Sequence, residues 1–176
     1  KLLDPKNGLL VAEFIYLPDM VKNNAYDQIY HEHLLYYSLS SFQKLLDIYD
    51  LEIVDAIKKQ IHGGSCITIV KHKGSQLKTK NLIDLIEYEE VNGFNDIEIY
   101  RKFAKKVQNN KLRLRDMLIQ LKKRGNSIVA LGAPVKGSTL INYCNLSVKE
   151  IDYGVEINPH KCGTYYPGTK IPVYHQ

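Results

Sequence analysis

"NSIVALGAPVKGSTLINYCNLSVKEIDYGVEINP", residues 126–159, is the stretch that decides the fold. An apolar run ends at Gly132, a glycine-containing loop follows, the spacing then becomes helical, and a second apolar run reaches Glu156. Strand, loop, helix and strand in that order make one βαβ unit, so the chain is read as α/β with a Rossmann-like C-terminal region. The loop "GAPVKGST", residues 132–139, stands at the end of a strand and the start of a helix, whose N-terminal N–H groups favour anions. It resembles two phosphate loops and matches neither. A Walker A loop needs Gly-Lys-Ser/Thr, whereas Lys136 here precedes Gly137. A dinucleotide fingerprint needs a middle glycine, and Pro134 takes that place. Glu156, closing the next strand, lies where a carboxylate accepts a ribose hydroxyl. Two readings stay open at this point: a plain βα turn, or a nucleotide-shaped site.

Upstream of the unit, apolar positions Tyr100, Ala104, Val107, Leu114, Leu118 and Leu121 form one stripe, stopped by Gly125. The pattern predicts a long helix from Asn95 or Asp96 to Arg124, about 43 Å at 1.5 Å per residue, bridging two lobes. Its many Lys and Arg residues fall mostly between the stripe positions, as on a solvated face, and no zinc-finger, RNP or helix-turn-helix pattern accompanies them. Nucleic acid is not an expected partner. Further upstream, "GLLVAEFIYL" (8–17) has the length and flanks of a buried strand, and residues 41–49 have helical spacing after the capping candidates Ser40 and Ser41. "LEIVDAI" and "CITIVKH" read as two strands joined through a Gly-Gly turn. The division expected from these elements is 1–72, a helical bridge over 73–124, and 125–176.

The 176 residues, 44% of them hydrophobic, suffice to bury roughly 70% of the unfolded surface. No apolar run approaches the ~20 residues needed to span a bilayer, and no signal-peptide pattern opens the chain, so a cytoplasmic protein without membrane partners is expected. Cys66, Cys144 and Cys162 are odd in number and far apart, which fits packing thiols in a reducing compartment. The formal net charge of +5 suits an anionic ligand such as a nucleotide diphosphate.

"DQIYHEHLLYYSL", residues 27–39, gathers two histidines, a glutamate and several tyrosines beside Leu34, Leu35 and Leu39. As a strand it would put His31 and His33 on one side, a spacing open to a metal. As a helical turn it would put Tyr30 and His33 on one face, with Glu32 free to orient a neighbour. Metal is the less economical reading, since no Cys or His pair lies nearby at ligand spacing, and no metal is expected within these residues. An imidazole beside a phenol and a carboxylate is already a competent proton-transfer group, and buried structural histidines are the other reading open at this point.

Four segments taken together, "YDQIYHEHLLYYSL", "IHGGS", "GAPVKGSTLINY" and "NPHKCGTYYPGTKIPV", stand in an order and spacing that resembles the S-adenosylmethionine-dependent C-methyltransferases of nucleoside-diphosphate deoxysugars. The resemblance covers nearly the whole chain. It implies that "KLLDPKNGLLVAEF" ends a methyltransferase-type sheet, that the S-adenosylmethionine loop and a zinc-binding domain lie before this segment, and that the family sequence continues past "IPVYHQ". It further implies C-methylation, in deoxysugar biosynthesis, of a nucleotide-linked 4-keto-deoxysugar. By position His33 removes the proton beside the ketone, flanked by Tyr30 and Glu32. The substrate side would comprise Gly64, Ser65, Gly132, Lys136, Asn142, Tyr143 and Glu156, with Lys136 near a diphosphate and Asn142 at a sugar or base edge. The segment would then be packed through Leu34, Leu35 and Leu39 and reactive through the Tyr-His-Glu-His residues, and by itself it is expected to be inactive. Two departures from the family pattern stand out: Cys66 and Ile67 occur where a hydrophobic residue and an arginine are common, and Glu156 replaces an aspartate. The alternative is a nucleotide- or partner-binding module of the same descent without methyl transfer.

Overall fold

The computed structural model describes residues 3–61 and 63–176. Lys1 and Leu2, at the head of the first quoted segment, and His62, inside the Gly-Gly motif, lie outside the described residues. The fold is α/β and divides into two compact units, one comprising Lys1–Ala25 with Leu34–Phe103 and the other Tyr26–His33 with Ala104–Gln176.

The first unit is built on a three-stranded antiparallel sheet in the order β1-β3-β2, from β1 (Leu10–Ile15), β2 (Leu51–Lys59) and β3 (Ser65–His72). The β2–β3 hairpin expected from the Gly-Gly turn is present, with Lys59 opposite Ser65 and Leu51 opposite His72. Along β3 the alternation buries Cys66, Thr68 and Val70 on one face, which meets Ile53 and Ala56 of β2. Full burial of one such Val or Ile side chain is worth roughly 1.5–3 kcal/mol. Burial, with the Glu89 charge as the next cause, pushes the Cys66 thiol up to about 12, so it packs as an inert apolar group.

Three local readings change. Pro18 does not merely stop the first strand; it occupies the first turn of α1 (Leu17–Lys22), where a missing N–H costs nothing. Helix α2 begins at Leu39, not at residue 41, and ends at Asp47. Its N-cap is Ser38, whose hydroxyl accepts the Ser41 N–H at 3.1 Å while the Ser41 hydroxyl accepts the Ser38 N–H at 2.9 Å. Ser40 and Ser41 therefore lie inside the helix, because Ser38 satisfies the first turn two positions before Ser40. Leu34 and Leu35 are 85% and 65% exposed, contrary to the expectation that they pack the titratable segment; only Leu39 is buried. The chain from 30 to 38 is a turn followed by irregular backbone, with no helical or strand period to turn those two leucines inward.

Helix α3 (Lys80–Val91) starts at the Thr79 cap. Its core-facing positions are Leu82, Leu85, Ile86 and then Glu89, so a buried carboxylate interrupts the apolar stripe that would otherwise announce the helix. Glu89 accepts the Leu39 N–H at 2.6 Å, the Ser40 N–H at 3.0 Å and the Ser40 hydroxyl at 2.8 Å, which compensates its burial at the start of α2.

Helix α4 (Ile97–Lys123) matches the predicted long helix, and the division between the units falls within it. Of its stripe, Val107 and Leu118 are buried and Ala104 is exposed; Arg101, Lys102, Lys105, Lys106, Arg113, Lys123 and Arg124 face solvent.

The second unit carries the βαβ arrangement. Strand β4 (Val129–Leu131) pairs in parallel with β5 (Tyr153–Glu156), and β5 with β6 (Val173–His175), with α5 (Val135–Tyr143) between β4 and β5. Its core joins Leu118 of α4, Ile141 of α5, Cys144, Ile151, Tyr166, Ile171 and Val173. Gly154 is required by packing: a Cβ there would stand 2.5 Å from the Tyr166 ring. Asp152 fastens the sheet's entry by accepting from Lys122 Nζ at 2.6 Å, the Ile128 N–H at 2.7 Å and the Ser127 hydroxyl at 3.1 Å.

Candidate functional site

Tyr30 to His33 form a turn closed by the His33 N–H donating to the Tyr30 carbonyl at 3.0 Å. That turn brings the Tyr30 and His33 rings edge to face, centroids 4.7 Å apart and 81° between planes. Of the two local geometries open to the sequence, the turn is the one adopted. It is preceded by a short 3₁₀ segment, Tyr26–Gln28, anchored by the Tyr26 hydroxyl donating to Asn110 Oδ1 at 3.0 Å and by ring packing on Tyr143 at 5.5 Å. Burial, followed by the contact with the Cys144 thiol, raises the Tyr26 phenol above its ordinary range. Glu32 and His31 are exposed, and Tyr30 and His33 are half-buried.

Within the second unit a cavity of about 410 Å³ opens between α5 and the strap of residues 161–168. Tyr30, Tyr165, Tyr166, Pro167 and Val135 give it an aromatic and apolar wall; Ser138, Thr139, Thr164, Lys161 and His31 add polar groups. Such a lining suits a planar ring with a few oxygen atoms. Among the predicted residues, Tyr30 and Asn142 line this cavity. His33 does not line it but packs against the Tyr30 ring, and His31 lines it directly.

The other predicted residues are placed as follows. Glu156 holds the β4–α5 turn: Oε2 accepts the Ala133 N–H at 2.8 Å and Oε1 accepts the Ile157 and Asn158 N–H groups at 2.9 and 3.1 Å. Those backbone bonds, Ala133 first, hold its carboxyl below the ordinary range. The Gly132 carbonyl accepts from the Tyr166 hydroxyl. Lys136 lies half-buried in the first turn of α5, outside the cavity lining. Tyr143 stands on α5 against Tyr26, with Lys111 Nζ 4.7 Å above its ring. Gly64 and Ser65 belong to the first unit, Gly64 against Asp19, and the Ser65 hydroxyl donates to Glu13 at 2.8 Å. Asn142 spends both amide hydrogens on backbone, donating to the Ser138 and Pro167 carbonyls at 2.8 Å each.

Lys161, Thr164, Tyr165 and Tyr166 are cavity residues that sequence reasoning does not single out, although "NPHKCGTYYPGTKIPV" contains all four. The available signal was a lysine and two tyrosines set among Gly163, Pro167 and Gly168. Lys161 Nζ donates to the Ala133 carbonyl at 2.9 Å and stands 3.9 Å from Glu156 Oε2, so its charge is partly balanced where it meets the cavity. Among the described residues no three His, Cys, Asp or Glu side chains gather as a metal cluster, and no helix is long and apolar enough to cross a membrane.

The fold and site define an α/β protein with an aromatic-walled cavity lined by Tyr30, whose ring packs against His33. A family model for the C-methyltransferase C-terminal domain matches residues 60–176. The C-methyltransferase NovU of Streptomyces niveus is 30% identical over 174 residues, covering 98% of this chain and 41% of the relative. The chain belongs to the C-methyltransferase family and spans less than half the length of that relative.

Proposed function

We propose that this segment is the acceptor-binding, base-bearing part of an enzyme that methylates carbon on a nucleotide-linked 4-keto-deoxysugar with S-adenosylmethionine. The observation that carries the reading is the Tyr30–His33 turn, which couples an imidazole to a phenol that lines an aromatic cavity. His33 takes the proton on the carbon beside the ketone: the C–H bond breaks, its electron pair moves to the ketone oxygen as an enolate, and the imidazole becomes imidazolium. The Tyr30 hydroxyl donates a hydrogen bond to the enolate oxygen, and Glu32 orients the imidazole. The nucleotide part enters the cavity, with Lys136 and the first turn of α5 on the diphosphate side.

S-adenosylmethionine supplies the methyl group. Glu156, expected on the substrate side, is engaged by three backbone N–H groups, and Pro134 stiffens the turn before α5, so this strand end offers no free carboxylate to a ribose, the donor's or the acceptor's. We place the donor outside this segment, along with any zinc.

One observation favours a second reading of the base, since His31 and not His33 lines the cavity. Exchange of the sugar's C3 proton with deuterated water, without methyl donor, separates the two in the full-length enzyme. His33→Asn is expected to slow exchange by about 10²–10⁴-fold, the usual worth of a positioned base, and His31→Asn to cost less. Slow exchange in His31→Asn with a wild-type rate in His33→Asn gives the role to His31. Wild-type exchange in both removes the base assignment and favours a binding module without methyl transfer.

A further inference from the structure

The strap of residues 161–168 closes one side of the cavity, and three side-chain bonds tie it to the β4–α5 turn and to α5. Lys161 Nζ donates to the Ala133 carbonyl, the Tyr166 hydroxyl to the Gly132 carbonyl, and Asn142 Nδ2 to the Pro167 carbonyl. The first two fasten the strap to the β4–α5 turn. Asn142 alone of the three fastens it to the body of α5, because the same amide nitrogen also donates to the Ser138 carbonyl one helical turn back.

The opposite atom of the same amide completes the clamp. Gly168, at φ +76°, lies so close to Asn142 that an added Cβ would stand inside van der Waals contact with Oδ1. Asn142 is thus held from both ends: its nitrogen binds the carbonyl before Gly168, and its oxygen abuts Gly168 itself. Its donors are already committed to backbone, so its amide nitrogen has no hydrogen to offer a ligand.

We infer that Asn142 is a positioning residue, one that fixes the separation between α5 and the Tyr165–Pro167 wall and so sets the affinity of the cavity without recognising the ligand through its amide nitrogen. The consequence for binding rests on the nucleotide reading proposed above; the clamp itself does not. An aspartate at this position has the same shape but, ionised, turns an acceptor toward both the Ser138 and the Pro167 carbonyls, so the strap is pushed away. Protonated, it recovers one donor and hence one of the two bonds.

The test uses the full-length protein with Asn142→Asp and Gly168→Ala, the second acting on the clamp from a residue without a side chain. Hydrogen exchange of the 163–170 backbone is expected to quicken about tenfold in both at neutral pH, the worth of one lost hydrogen bond. In Asn142→Asp the excess over wild type measured at the same pH should shrink as pH falls and the carboxylate takes a proton. Affinity for dTDP and UDP should fall about tenfold in both variants, and in turnover the loss should fall on KM rather than kcat. Unchanged exchange in both variants overturns the clamp. Quicker exchange with wild-type nucleotide affinity and KM overturns its role in binding. Quicker exchange in a protein whose wild type binds neither dTDP nor UDP leaves the clamp standing and removes the nucleotide reading instead.

Discussion

Helices α2 and α5 begin in different ways, and the contrast separates a structural end from one beside a cavity. The first turn of α2 is closed twice over: Ser38 takes the Ser41 N–H, and Glu89, wholly buried, takes the Leu39 and Ser40 N–H groups. The first turn of α5 follows Pro134, and among the described residues no side chain caps it. The Glu156 carboxylate binds the Ala133 N–H just outside the helix and stands near the Lys161 ammonium. A carboxylate sunk among three donors has no acceptor capacity turned toward solvent and acts only through stability. An uncapped turn beside Val135, Ser138 and Thr139, which line the cavity, keeps polar capacity for a ligand.

The contrast breaks first at Glu89, where the largest effect is expected. Glu89→Ala strands the buried Leu39 N–H and the half-buried Ser40 N–H and hydroxyl, each costing roughly 1–3 kcal/mol, so urea unfolding should show a loss of about 3–5 kcal/mol. Glu89→Gln keeps one acceptor and should cost about half. A loss below about 1 kcal/mol for Glu89→Ala would mean that water reaches the start of α2, and the distinction between the two helix ends would go.

A smaller effect sharpens the same end. Ser38→Ala should cost about 1 kcal/mol, the usual worth of an N-cap hydroxyl. Because Ser38 and Ser41 satisfy each other's backbone, the double variant with Ser41→Ala should cost less than the two single losses added together. Strict additivity in thermal or urea unfolding would show two independent serines instead of a capping box.

The same contrast explains which parts of the chain were readable. The β2–β3 hairpin, α4 and the parallel β4–α5–β5 unit follow from periodicity and from Gly-Gly and strand–Gly–helix punctuation, because their core positions are apolar and regularly spaced. Helix α3 escapes that reading because Glu89 occupies a core-facing position, and a charge there counts against a helix until its partners, fifty residues away, are known. Leu34 and Leu35 mislead for the opposite reason: apolar side chains in an irregular segment have no period that commits them to a core. Of the residues lining the cavity, Tyr30 and Asn142 are among those named from the sequence, whereas Lys161, Tyr165 and Tyr166 come from a turn-rich tail whose return beside α5 is a property of the parallel sheet. Asn142 itself is legible as a cavity residue and not as a clamp, since nothing local shows that Pro167 lies against it.

The smallest expected effect concerns a third carboxylate, more open to solvent than Glu89. The Lys122 ammonium, then the Ile128 N–H, hold the Asp152 carboxyl down to about 2 from an ordinary 3.8. A carboxylate whose folded pKa is depressed adds stability that is complete above the unfolded value and is lost as pH falls through the folded one. The window is therefore from about pH 4 to about pH 2. Asp152→Asn should be less stable than wild type at neutral pH, modestly so because the Lys122 pair is partly open to water and salt screens it. On acidification through that window the wild type loses this contribution and the variant has none to lose, so their unfolding midpoints should converge. Thermal unfolding of both proteins at several pH values reads this directly. A gap that stays constant down to about pH 2 would show that Asp152 acts through its geometry at Ile128 and Ser127, which an asparagine only partly reproduces, and not through its charge.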